Sequence, residues 1–321
     1  MIVIYLVIIA ISLYGVTFRA ASADYLDKKS TLCVNGICVL LVFVRHIFGG
    51  GNGGYKGQEI NSDYPMFYWI DTILGQLIVC PFLFFSGYGI FVSIKNKEGY
   101  VNKLIKMRFP RLLLYFDITV LMHLILYSFK FDANTILGSL VAWKSVGNHQ
   151  WFIFATMFLY IVTYISFSIF KEDEKKAICL LIALTIVYAL VICKYQRGYY
   201  YDTIICYAEG MLFAWKADAL RKKIAQMNWK TWIVVLCTFV AGYLLAYCVK
   251  DDGAEYIFRV LYIVGYWLAA TSFIIMLVGL MSKIRFENKI LLMSIFASKV
   301  SVNSRVATAG SVIILSGCGN S

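Results

Sequence analysis

Charge is what this sequence has least of. Of its 321 residues only 15% are Asp, Glu, Lys or Arg, against 61% hydrophobic and 17% aromatic. A soluble domain is nearer a quarter charged and half apolar, so a soluble fold is excluded and the chain reads as an integral membrane protein. Proline is scarce too, with three residues, and no stretch shows the ten-residue alternation of a barrel strand. Long apolar runs with few breakers are helices, which satisfy their own backbone polar groups in lipid. The chain has no Walker loop, no dinucleotide glycine fingerprint, no HExxH, no paired CxxC and no GxSxG elbow. Their absence removes the usual signatures of nucleotide, zinc-protease and serine-hydrolase chemistry. No internal repeat is visible, which weighs against a transporter built from inverted repeats.

Two abundances mislead until they are placed. Nine cysteines suggest a disulfide framework, yet eight of them, from Cys33 to Cys248, lie in or at the edges of apolar runs, and Cys318 sits in an odd tail. No pair has metal-ligand spacing, so they read as small packing residues and no metal is called for. The net charge of +12 suggests nucleic acid. However, the cations fall in short loops between apolar runs, where membrane topology puts them, so the partners are lipids and no nucleic acid is expected.

The first 18 residues are apolar, with no basic segment before them and Arg19 after them. A first transmembrane helix is expected, not a cleaved leader. Further spans run at about 33–49, 66–93, 111–129, 151–170, 177–193, 200–215, 231–249 and 256–281, each near the roughly 20 residues that cross a bilayer. Alternate loops then separate by charge. One set holds Arg19, Lys28, Lys95–Arg108, Lys171–Lys176, Lys216–Lys230 and Lys283–Lys289; the other holds few cations, diluted by Asp63, Asp132, Asp251 and Asp252. The reading is an all-α polytopic transmembrane bundle of about nine to ten helices, with the N-terminus outside and Lys95–Arg108 in the cytoplasm. After Asn288 a tenth helix begins as KILLMSIFA and gives way to a Ser/Gly/Val-rich tail.

Within the second span, TLCVNGICVLLVFVRHIFGG, an Arg45–His46 pair lies inside the apolar run. Ionisable groups at membrane depth are expensive, so function is the default hypothesis. His46 is about 20 Å along a helix that enters from the cytoplasm, near the outer face. Asn35, three turns earlier, lies on nearly the same face. An imidazole titrating near neutrality can take a proton from a hydroxyl, as a general base for acyl transfer must. The plainer alternative has the pair near the interface, with Arg45 snorkelling to headgroups.

Arg108 and Arg111, in MRFPRLLLYF, flank Pro110 at the expected start of a helix, where proline is favoured. Two guanidinium groups beside a helix N-terminus make either a phosphate site or an anchor for anionic lipid. Glu209, in YAEGMLF, is an acid inside a span and needs a partner, with Arg45 or Arg259 as candidates. His123, in VLMHLIL, reads as a satisfied packing histidine.

The runs NGICVLLVFVRH, PFLFFSGYGIF at 81–91, KLIKMRFPRLLLYF at 103–116 and HQWFIFATMFLY at 149–160 follow in an order and spacing that resembles the acyltransferase-3 family. These are multi-helix membrane O-acyltransferases that commonly modify bacterial surface carbohydrates. The resemblance covers about residues 25–290. It implies an acyl-coenzyme A donor, most simply acetyl-coenzyme A, a carbohydrate or lipid-linked glycan acceptor, and a bacterial cytoplasmic membrane location.

It also implies roles. His46 is the base. Arg108 and Arg111 meet the donor's phosphates, and Ser86 and Tyr88 line a groove for its pantetheine arm or acyl chain, unless Ser86–Gly89 simply allows close helix approach. On the acceptor side stand Arg45, Asn35, Asn148, His149, Trp151 and Glu209, Trp151 being equally an interfacial anchor. The family pattern has a basic residue eleven positions before its histidine, where this chain has Asn35; Arg45 is a possible substitute charge. The chain accordingly divides into 1–30, an extra N-terminal helix and linker; 31–290, the acyltransferase-like domain; and 291–321, an atypical end, either divergent or truncated. Two other readings stay open: a multi-helix transporter or lipid-linked sugar permease with Arg45, Glu209 and His123 as a charge relay, and an inactive member of the family.

Overall fold

A computed structural model describes residues 2–18, 25–48, 73–126, 130–146, 150–249 and 255–286. It is an all-α bundle: α1 (Ile2–Leu13), α2 (Lys28–Phe48), α3 (Cys80–Asn96, entered through a 3-10 turn at Gly75–Val79), α4 (Tyr100–Leu126), α5 (Ala133–Leu140), α6 (Trp151–Ile169), α7 (Glu174–Ile192), α8 (Ile205–Trp215), α9 (Ala217–Ala225), α10 (Trp229–Val249) and α11 (Tyr256–Lys283). Five stretches among the described residues are long and apolar enough to cross a bilayer: Gly75–Asn96, α6, α7, α10 and α11. They and the cation-bearing α2 and α4 make this a polytopic membrane bundle.

The expected span at 200–215 is helical only over Ile205–Trp215, and two further boundaries depart from the sequence reading. The apolar run at the N-terminus is helical for only 12 residues, about 18 Å at the usual rise. Gly15, with φ of 74°, turns the chain, and β1 (Val16–Phe18) pairs antiparallel with β2 (Ile284–Phe286). The second departure is α4, which begins at Tyr100 and not near Arg111, so Pro110 is inside a helix of 27 residues. A helix can run through its Lys and Arg residues because their long stems carry the charges toward water. Arg108 and Arg111 therefore do not stand at a helix N-terminus, and no helix start contributes to an anion site there. The expected tenth helix, the 66–72 part of the third span and the 127–129 end of the fourth lie outside the described residues.

An ion pair and hydrogen bonds at the two ends fix how the helices alternate. At one end Lys95 of α3 meets Glu174 of α7 at 3.6 Å, Tyr25 before α2 donates to the Arg221 carbonyl of α9 at 3.1 Å, and Lys283 of α11 donates to the Ala225 carbonyl. At the other end Tyr256 of α11 donates to the Leu190 carbonyl of α7 at 3.1 Å, and Arg259 donates to the Cys193 carbonyl, past its end. Helix starts are capped where carboxylates stand: Asp27 accepts from the Ser30 amide at 2.8 Å, and Asp173 from the Lys176 amide at 3.0 Å. Each satisfies a donor that has no partner within the helix.

The core forms around α8, whose Cys206, Tyr207, Ala208 and Met211 are fully or almost fully buried. It runs parallel to α3 and touches it backbone to backbone. A β-carbon on Gly87 would lie 2.0 Å from the Tyr207 carbonyl oxygen, and one on Gly210 2.0 Å from that of Phe84. The bland reading of the Ser86–Gly89 patch, close approach of helices, thus holds at Gly87. By contrast, α10 buries only Gly242 and Ala246. It packs closely on α11 through Gly242 and Gly265, and turns Ile233, Val234, Leu236, Val240 and Leu244 outward, as a lipid-facing helix does.

Candidate functional site

Arg108 lies eight residues into α4, about 12 Å from its start. Its Nη2 donates to the Tyr100 hydroxyl at 3.0 Å, and the hydroxyls of Tyr160 (α6) and Tyr207 (α8) are within electrostatic reach. Tyr207 in turn shares a hydrogen bond of 2.8 Å with Thr163 of α6. Three helices, α4, α6 and α8, therefore hold a guanidinium inside the bundle in a box of phenols. Placing an arginine at membrane depth costs about 2.5–3.5 kcal/mol on insertion scales. A hydrogen bond to a charged group returns about 1.5–3 kcal/mol, so the tyrosines roughly offset the burial and leave the cation available to an anion. Arg111, one turn on, is exposed.

Tyr88 stands at matching depth on α3, eight residues before its end at Asn96. Its hydroxyl accepts from Arg221 of α9, whose guanidinium carbon lies 6.0 Å from the Tyr88 ring centre. Phe213 packs on the other side, 6.3 Å between ring centres. Tyr25 is fully buried beneath Arg221; burial pushes its phenol up to about 12, against the opposing pull of the Arg221 charge. Ser86 is half-buried. Asn35 is buried, and its Oδ1 meets no hydrogen-bond donor among the described residues.

At the opposite end Arg45 of α2 flanks the 3-10 turn before α3. Its Nη1 is 3.3 Å, and the Tyr266 hydroxyl of α11 3.7 Å, from the point a β-carbon on Gly75 would occupy. Tyr266 also feels the charge of Asp202, which is buried and accepts from Tyr262 at 3.1 Å. Gln150 donates to Tyr200 at 3.0 Å, and Trp267 to the Tyr201 carbonyl at 2.9 Å. Trp151 is buried against Tyr199, 5.9 Å between ring centres, and not spread at an interface. His46 follows Arg45 on α2, with its side chain outside the described residues; Asn148 and His149 also lie outside them.

Between the two ends, Glu209 of α8 accepts from Thr271 of α11 and interacts with the Cys206 thiol, while its Oε2 is buried without a donor among the described residues. Neither arginine candidate proposed as its partner takes that place: Arg259 bonds the Cys193 carbonyl, and Arg45 stands by Gly75 and Tyr266. His123 is buried with Nδ1 2.9 Å from the Thr119 carbonyl, the packing histidine expected. Arg45, Glu209 and His123 thus have separate local contacts, a poor basis for a charge relay. Among the described residues no three His, Cys, Asp or Glu side chains group as metal ligands.

The sequence reading missed Tyr100, Tyr160, Tyr207 and Arg221 at the first end, and Asp202, Tyr262 and Tyr266 at the second. Asp202 carried a signal, an acid entering an apolar span. The tyrosines carried none in a chain holding 23 of them.

A helical membrane bundle with cations held inside it at both ends is the class that these elements define. The acyltransferase-3 family pattern, described as an acyltransferase domain, matches residues 33–302. The chain belongs to that family and is a membrane acyltransferase. No match was found among curated proteins or among solved structures.

Proposed function

We propose that this acyltransferase takes an acyl group, most simply acetyl, from acyl-coenzyme A at the end where Tyr100 and α9 lie, and transfers it to a hydroxyl of a cell-surface carbohydrate or lipid-linked glycan at the other end. The cation-rich stretches at Lys95–Arg108 and Lys216–Lys230 support a cytoplasmic donor side, an outward N-terminus and a bacterial cytoplasmic membrane. The observation that carries the reading is Arg108, a guanidinium kept within the bundle by phenols and offered to a phosphate. In the step itself His46 takes the proton of the acceptor hydroxyl, the oxygen attacks the thioester carbonyl, and the thiolate leaves and is protonated. The thioester already has a good leaving group, so a positioned base and proximity supply the acceleration.

Purified protein in liposomes with radiolabelled acetyl-coenzyme A tests this. Label enters glycan with the wild type and stops with His46→Ala, while the variant inserts and unfolds as the wild type does. Normal transfer by His46→Ala removes the histidine from the mechanism. Flux of glycan without acyl turnover replaces the reading with a permease.

A further inference from the structure

α9 follows α8 with only Lys216 between them, and it is a short helix at the donor-side end carrying three consecutive cations, Arg221, Lys222 and Lys223. Lys222 and Lys223 are exposed, whereas Arg221 is turned inward with its Nε buried. Two bonds set α9 in place: Tyr25 on the Arg221 carbonyl at 3.1 Å and Lys283 on the Ala225 carbonyl. Both hold the backbone, and the Arg221 side chain donates to the Tyr88 hydroxyl, on the helix that forms a hairpin with α4. Tyr88 and Arg108 each stand eight residues from that hairpin turn, hence at one depth. Guanidinium groups thus approach one level from two sides, Arg108 from α4 and Arg221 from α9.

We propose that Arg221 is a donor-positioning residue, which binds the phosphate-bearing end of the thioester donor, aimed by its contact with the Tyr88 hydroxyl and ring. This rests on the reading that the donor carries phosphates. A guanidinium matches a phosphate with two parallel N–H bonds, which the single ammonium of Lys222 or Lys223 does not. The ring under it holds the plane of the fork.

The test compares two donors, acetyl-coenzyme A and the phosphate-free acetylpantetheine, on wild type, Arg221→Ala, Arg221→Lys and Tyr88→Phe. Arg221→Ala raises KM for acetyl-coenzyme A by about tenfold or more, as loss of a charge-assisted hydrogen bond does, with kcat within about twofold and the acetylpantetheine rate unchanged. Arg221→Lys falls between, and Tyr88→Phe reproduces part of the KM change without loss of thermal stability. Equal losses on both donors, or an unchanged KM for acetyl-coenzyme A, overturn the assignment. A wild type that neither binds nor uses acetyl-coenzyme A overturns the donor reading and this inference with it; a wild type that uses it while Arg221→Ala is unaffected overturns the inference alone.

Discussion

Gly87 faces the carbonyl of Tyr207 so closely that a β-carbon would stand 2.0 Å from its oxygen. The atom in the way is backbone, so two helices have to separate to admit a methyl group. Gly87→Ala is expected to cost about 3 kcal/mol, the upper end of overpacking penalties, and Gly210→Ala the same. Gly89, two residues on, would meet nothing within 4 Å. There Ala is expected to be neutral or to gain up to about 1 kcal/mol in helix propensity. Thermal unfolding in detergent measures all three, and equal shifts at positions 87 and 89 refute the contact.

Tyr100→Phe takes from Arg108 its 3.0 Å partner and no packing volume. The guanidinium is then free to move, and donor affinity falls by about tenfold, the value of one hydrogen bond to a charge. Arg108→Ala loses more, because the charge itself goes. Calorimetric titration with acetyl-coenzyme A reads both, and an Arg108→Ala variant that binds like wild type removes Arg108 from the donor site.

Thr271→Val keeps the shape of the side chain and deletes the hydroxyl that Glu209 Oε1 accepts. With Oε2 already lacking a donor among the described residues, the variant is expected to lose about 1–3 kcal/mol. Adding Glu209→Leu to it should recover part of that loss, since an apolar pair strands no polar atom. Additive losses in the double variant would show that Glu209 and Thr271 are not coupled.

The cap of α7 responds to pH. The Lys176 amide and side chain hold the Asp173 carboxyl below its ordinary range. A depressed carboxylate contributes stability above its unfolded value near 3.9, and that stability is lost as pH falls through the lower folded value. Amide exchange in the first turn of α7 should therefore stay slow from pH 7 to about 4 and quicken only below. Asp173→Asn should shift little at any pH, and an onset near pH 6 would assign the effect to another group.

How much of this was legible in the sequence differs by kind of signal. The long helices α6, α7, α10 and α11 declared themselves because lipid demands about 20 apolar residues and leaves few other solutions, whereas the short charged α9 was read as a loop. Their alternation showed in the cations. The start of α4 did not, since KLIKMR looks like a loop until its stems are allowed to snorkel. Nor did β1, three ordinary residues whose partner lies 268 positions away. In the site, Arg108 stood out as a charge in an apolar setting, whereas its phenol box depends on α4, α6 and α8 being neighbours, a tertiary fact no local pattern encodes. Glu209 was visible, but its partner was misjudged: a hydroxyl is silent in a sequence where an arginine is not.

The pairing of Thr17 with Arg285 has a bearing on biogenesis. The second strand leaves the ribosome only after all eleven described helices have been made, so the first strand waits for it through nearly all of the intervening synthesis. The pairing is therefore expected to close last, once everything in between has been threaded. Cysteines placed at 17 and 285 should cross-link in the finished protein and stay separate in nascent chains arrested before residue 284, a difference that pulse-labelling can time.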